Sequence, residues 1–367
     1  MIEVLSTWFK RYFSDPQAVI LATLLIVGFA IILNLGKILA PVLAAVVVAY
    51  LLEGMVRPLE RIKIPRLVAV LLVYLLFLIG FLFLLFRLLP LFSQQLSQLA
   101  QQIPEMVARG QQILLLLPEK YPEIISGAQV KAVIDNLRAL LGDFGQNILS
   151  FSIASIQGVF TFLLYVFLIP FLVFFFLKDK SLILGYIASR LPKERGLADK
   201  VWEEMNAQIG NYVRGKLLEV FLVWAATYIV FSTFELNYAP LLSFLVGVSV
   251  IVPYVGAVLV AIPVVFIGYF QWGWSNEFLW VMSIHGILQI VDGNLLVPIM
   301  FSEAVNLHPV AIVVAVLFFG GIWGFWGIFF SIPLATLVQV VINSWPRTPV
   351  TLEYHFHLKQ LPNTDPL

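Results

Sequence analysis

Apolar stretches recur along the whole chain, at about 18 to 35, 38 to 56, 67 to 89, 151 to 177, 217 to 235, 239 to 270, 278 to 298 and 307 to 344. Each reaches the roughly 20 residues that a helix needs to cross about 30 Å of hydrocarbon. Inside that layer every backbone N–H and C=O must be satisfied within the protein, which a helix does segment by segment. The expected fold is an all-α polytopic membrane protein of about eight hydrophobic segments. Composition agrees, with 61% hydrophobic and 12% charged residues, where a soluble domain carries about a quarter charged. Lys10 and Arg11 precede the first stretch, which is longer than a signal-peptide core and has no small-residue cleavage site directly after it. It reads as a retained span.

Basic residues orient the spans. Lys10 and Arg11, then Arg57, Arg61, Lys63 and Arg66, then Lys178, Lys180, Arg190, Lys193, Arg195, Lys200, Arg214 and Lys216 form three clusters. By the positive-inside rule all three are cytoplasmic, with four crossings alternating between them. Residues 90 to 150 then lie outside. There Leu96, Leu99, Ile103 and Val107 recur at helical spacing between Gln-rich positions, as expected of amphipathic helices on the bilayer surface or paired with neighbours. These readings divide the chain into N-terminal transmembrane helices (1–89), an extracytoplasmic amphipathic segment (90–150), a transmembrane helix (151–180), a cytoplasmic amphipathic segment (181–216), a transport core (217–344) and a cytoplasmic tail (345–367). Both termini are expected in the cytoplasm.

The core is the informative part. From Leu217 to Pro346 there is no Lys or Arg, while Glu219, Glu235, Glu277, Asp292 and Glu303 remain, so a buried charge there is expected to be negative. The stretches 239–270 and 307–344 are over-long for one span and broken centrally, by Pro253-Tyr254-Val255-Gly256 and by the cluster Gly320, Gly321, Gly324 and Gly327. Proline removes a helix donor and glycine eases irregular backbone. The two stretches also resemble each other: Pro240 to Pro263 and Pro309 to Pro333 differ in separation by one residue, and "LNYAP" matches "VNLHP". This is an internal duplication. Two re-entrant helical hairpins, each following a span, would form an inverted repeat with discontinuous helices meeting near the midplane, the pattern of secondary transporters. The plainer reading is that Gly320 and Gly324 form a GxxxG that lets two straight helices approach closely.

Asp292, in "LQIVDGNLLVP", lies well inside a hydrophobic segment with Gln289 before it and Asn294 behind. A carboxylate there is costly unless it binds a cation, a proton or a polar substrate; the alternative is an interhelical hydrogen-bond anchor. Glu219, Glu53 and Glu303 sit near segment ends, where solvated or capping roles are expected. His308 precedes Pro309 where a hairpin would begin, Arg87 can snorkel from its span end, and His355 with His357 is a weak chelating pair. No metal site or cofactor is expected. The chain lacks H-E-x-x-H, G-x-S-x-G and P-loop motifs, and only one aspartate falls within a span, so enzymatic readings find no support. A passive channel or permease and a non-transporting membrane scaffold stay open beside a transporter.

Taken in order, "VAYLLEGMVRPLERIKIPRLVAVLLVY" (48–74), "FFFLKDK" (174–180), "NYVRGKLLE" (211–219), "VPYVGAVLVAIPVV" (252–265) and "DGNLLVPIMFSEAVNLHPVAIVVAVLFFGGIWGFWGIFFSIPLA" (292–335) resemble the AI-2E family of bacterial permease-like transporters. The resemblance covers nearly the whole chain. It implies a multi-pass protein of the bacterial inner membrane, contacting lipid and assembling as a homo-oligomer, with a pentamer expected. It also implies either export of the quorum signal autoinducer-2 or sodium(lithium)/proton antiport. Family motifs fall on Tyr212, Gly215, Pro253, Gly256, Asp292, Pro298, His308, Pro309, Gly320, Gly321, Gly324, Gly327 and Pro333. The acidic position commonly reads Glu in the family, and Asp292 shortens that reach by a methylene. The expectation that results is a secondary transporter whose polar site is Asp292, Gln289 and Asn294, with Pro253, Tyr254, Gly256 and the glycines from Gly320 to Gly327 as gates.

Overall fold

The computed structural model describes residues 15–115, 130–132, 134–135, 156–253, 255–301 and 307–346. Every regular element among them is helical. Tyr254, Glu303, the basic residues before Asp15, the histidines at 355 and 357 and most of the 90–150 segment beyond Leu115 lie outside the described residues.

Helix α1 runs unbroken from Pro16 to Arg61. Asp15 starts it by accepting from the Gln17 N–H at 2.8 Å, and Pro16 occupies the first turn, where its missing donor costs nothing. Two apolar stretches, Pro16–Gly36 and Ile38–Arg61, follow one another in it, where the sequence reading places two crossings. The helix bends sharply between them: Gln17 accepts from the Leu197 N–H and Tyr50 donates to the Asn206 carbonyl, two sites about 13 Å apart along one later helix, whereas a straight helix would hold Gln17 and Tyr50 about 50 Å apart. Gly36 and Pro41 stand at the bend.

Helix α2 (Arg66–Phe83) passes through a π-helical turn, Leu84–Leu88, into α3 (Leu89–Leu115), so that one rod crosses the boundary drawn at residue 89. The amphipathic spacing holds: Ile103 is buried, and Leu99 packs on the apolar cluster of Val223, Leu242 and Val264. Helix α4 (Ile156–Lys178) closes an N-terminal bundle with α1 and α2 around Ala45, Ala49, Val56, Ala69, Val70, Val73, Val173 and Leu177. Short α5 (Lys180–Arg190) leads into α6 (Gly196–Thr233). The stretch from 196 to 216 is therefore not a separate surface helix but the first half of the same helix that holds the span at 217–235.

The core follows as α7 (Ala239–Ser249), α8 (Val255–Trp272), α9 (Asn276–Val291), a π-helical turn (Asp292–Leu296), α10 (Val297–Phe301), α11 (Pro309–Trp323), α12 (Phe325–Phe329) and α13 (Ser331–Ser344). Both over-long apolar stretches are thus broken where the sequence places the breaks. Helix α7 packs on α8, and α11 on α13. With 11, 15 and 14 residues, α7, α11 and α13 are about 16, 22 and 21 Å long, short of a full crossing. Seven stretches among the described residues are long and apolar enough to cross. Their outward faces carry residues such as Phe86, 72% exposed, Phe167, 71%, and Leu317, 71%, which only lipid or another protein surface can cover at this density. The chain is an all-α, multi-pass membrane protein.

Candidate functional site

The two breaks use one device. A Cβ on Gly256 would overlap the carbonyl oxygen of Ser249, and a Cβ on Gly327 would overlap that of Phe319. In each unit the chain folds back so tightly on the end of the preceding helix that only glycine fits. Gly324, at φ 58, supplies the positive backbone angle that ends α11. Pro240 and Pro309 stand in the first turns of α7 and α11, and His308 caps α11, its Nδ1 accepting from the Val310 N–H at 3.2 Å. The duplication legible in the sequence is therefore a duplication of structure.

The base of the first unit is clipped shut. Gln271, at the end of α8, accepts from the Asn237 N–H at 2.7 Å and donates to the Glu235 carbonyl at 2.9 Å. Its start and finish therefore lie side by side. Gln95 on α3 adds an outside cap, its Oε1 accepting from the Leu241 N–H at 3.0 Å.

Both breaks converge on α6. Ile251 from the first and Phe329 and Ile332 from the second share one apolar cluster with Tyr212 and Val213, joined by Val297 and Met300 of α10. One turn further along α6, Lys216 and Glu219 form an ion pair at 2.9 Å, exposed by only 4% and 1%. Asp292, 8% exposed, completes the group. Lys216 acts electrostatically on Asp292, and Asp292 on Glu219. Among the described residues the cluster holds one basic and two acidic side chains. Asp292 Oδ1 has no hydrogen-bond partner among the described residues.

The Lys216–Glu219 pair corrects one expectation, because Glu219 is buried and not solvated. Among the described residues of the 217–346 window the buried acidic groups are Glu219 and Asp292, as expected, and Lys216, one residue before the window, brings them a cation. The missed signal is the Lys-x-x-Glu spacing, which sets both side chains on one helix face. Glu53 is likewise buried, 6% exposed, and holds Lys180 at 2.8 Å, Arg66 at 3.3 Å and Arg57 at 3.8 Å. It ties α1, α2 and α5 together.

Of the other predicted site residues, Gln289 lies three residues before Asp292, half-buried, with its Nε2 buried and unpartnered. Asn294 is exposed and donates back to the Ile290 carbonyl at 2.9 Å, which separates it from the cluster. Tyr212 is buried one turn before Lys216, Gly215 is half-buried beside it and Pro333 is buried in the first turn of α13. Pro298 continues the helix after the π-turn, Gly320 abuts Ile328, and Gly321 faces open space. Among the described residues no group of His, Asp and Glu is arranged to hold a metal ion.

A polytopic helical protein with two broken, duplicated units meeting at a buried ionic cluster has the architecture of a membrane transporter. The AI-2E family transporter model matches residues 19–347, and the chain belongs to that family. It is 44% identical over 353 residues to "Putative permease PerM" of Escherichia coli (strain K12), covering 96% of this chain and 100% of the relative. It is also 27% identical over 322 residues to "Putative transport protein YueF" of Bacillus subtilis (strain 168), covering 84% of each chain. A second protein of that organism, "Putative transport protein YrrI", is 27% identical over 318 residues, with 86% and 88% covered. The family and these relatives support a transport role in the membrane.

Proposed function

We propose that this protein is a secondary transporter of the bacterial inner membrane that couples movement of a small solute to a cation or proton held at Asp292. The observation that carries the reading is the Asp292 carboxylate oxygen, unpartnered among the described residues, in a cluster of two acidic side chains and one basic one. A buried carboxylate without a partner is costly in a membrane, and one monovalent cation or one proton would neutralise the cluster. This favours cation/proton antiport over export of an uncharged furanone-like signal such as autoinducer-2, which needs no such charge.

Alternating access around the two breaks is the proposed motion. The clipped base of α7–α8 supports a hairpin that returns to the side it came from, and the matching glycine fold-backs support the same for α11–α13. Glycine-rich tips accept the backbone change of opening at low cost. Both termini are placed in the cytoplasm, and the apolar outer faces serve lipid and a homo-oligomer interface. A passive permease is the competing reading.

The test is a proteoliposome assay with a trapped pH dye under Na+, Li+ or K+ gradients. Native protein should move protons against a cation gradient, and Asp292→Asn should abolish this while remaining folded. Equal flux in the mutant would remove Asp292 from the mechanism; no proton movement by native protein would favour uncoupled permeation.

A further inference from the structure

Helices α6 and α9 pack antiparallel. At one end the rings of Phe231 and His285 meet at 5.7 Å; at the other, the π-turn that begins at Asp292 packs on α6, which carries Lys216 and Glu219. These two helices and the π-turn after α9 carry buried polar atoms with no hydrogen-bond partner among the described residues, including both ring nitrogens of His285, Thr227 Oγ1, Gln289 Nε2 and Asp292 Oδ1. Thr227 is fully buried, one turn from Phe231 on α6, and His285 is 5% exposed. Gln289 stands one turn from His285 on α9, with Asp292 three residues beyond, so these three groups span about 10 Å of helix.

Simple packing does not account for these residues. Helical threonines elsewhere in the chain, Thr23, Thr233 and Thr336, turn their hydroxyls back to the carbonyl four residues earlier, which satisfies the group internally. Thr227 does not. Leucine or valine would fill the same seam without the penalty of several kcal/mol that an unsatisfied polar group carries in hydrocarbon. No fixed charge competes for His285: α8, packed against α9, contains no charged residue, and neither does the opposing stretch of α6 from Val220 to Thr233. The other titratable groups on these elements point elsewhere, Tyr269 against Phe278 and Trp274 and Tyr228 outward at 43% exposure.

We propose that the α6/α9 seam is a hydrated proton path, in which His285 is a second protonation station that delivers to Asp292 through water held by Thr227 and Gln289. An imidazole takes a proton on one nitrogen and releases it from the other, so His285 ends neutral but in the opposite tautomer, and a ring flip resets it before the next proton. The buried, unpartnered atoms are what would hold the intervening water. This inference rests on the reading of Asp292 as the coupling group.

The test uses full-length protein in proteoliposomes. His285→Gln keeps a hydrogen-bonding side chain but cannot carry the proton, so cation-driven proton movement should fall at least about tenfold, with the half-saturating cation concentration unchanged. The chain has no cysteine, so Thr227→Cys introduces a single thiol. It should react with N-ethylmaleimide at least about tenfold faster than Val264→Cys, which is equally buried but set in an apolar cluster, because only a hydrated thiol ionises. Native rates in His285→Gln, or equal reactivity of the two thiols, would overturn the path while leaving coupling at Asp292 intact. If native protein moves no protons, the transport reading fails instead; the thiol comparison then still decides whether the seam is hydrated.

Discussion

Lys216 Nζ stands 2.9 Å from Glu219 Oε2, one turn along α6, with both groups sealed from solvent. This pair sets the charge that Asp292 meets. It also makes the cluster sensitive to the loss of any one member.

Lys216→Met leaves two carboxylates without their cation and should lower stability by about 3 to 5 kcal/mol, the usual cost of breaking a buried pair. Lys216→Met combined with Glu219→Gln should recover most of that loss. Thermal unfolding of the purified single and double variants in detergent checks this, and additive losses would show that the pair is not energetically coupled.

Gly256→Ala and Gly327→Ala should each fail to give folded protein, because the added methyl overlaps a backbone carbonyl that has no room to move. Gly286→Ala, whose Cβ meets nothing within 4 Å, should instead be neutral or stabilising by up to about 1 kcal/mol. Membrane yield and gel-filtration profile distinguish the two classes.

Glu53→Gln should release Lys180 and Arg57, leave Arg66 held by Glu60 and the Leu177 carbonyl, and loosen α5 from the N-terminal bundle, costing about 3 kcal/mol. Faster hydrogen exchange across Lys180–Arg190, with α9 unaffected, is the expected signature.

Gly321→Cys should react with a membrane-impermeant thiol reagent from the cytoplasmic face when substrate is absent, and be protected when it is present. Labelling from the outer face alone would show that the tip of the second unit opens to the outside and not to the cytoplasm.

Much of this was legible before any coordinates. The breaks at Pro253 and Gly324, the duplication and the inward position of Asp292 follow from residue types whose backbone or solvation demands are strong and local. The bend of α1 between its two apolar stretches was legible too, from the polar interruption at Asn34 and Lys37. One feature was not. Lys216 and Glu219 look like residents of a basic cytoplasmic segment; their burial depends on α9 and α10 closing over them, which no local pattern encodes. Asn294 shows the converse: it lies two residues from Asp292 in sequence, and the π-turn aims it outward.

The bend in α1 has a mechanical consequence. Its two halves grip one stretch of α6, Leu21 packing with Val201 and Met205 and Tyr50 donating to the Asn206 carbonyl. Beyond that second contact Glu53 holds the starts of α2 and α5. A tilt of the first half of α6 is thereby handed to the N-terminal bundle without passing through the ionic cluster at all.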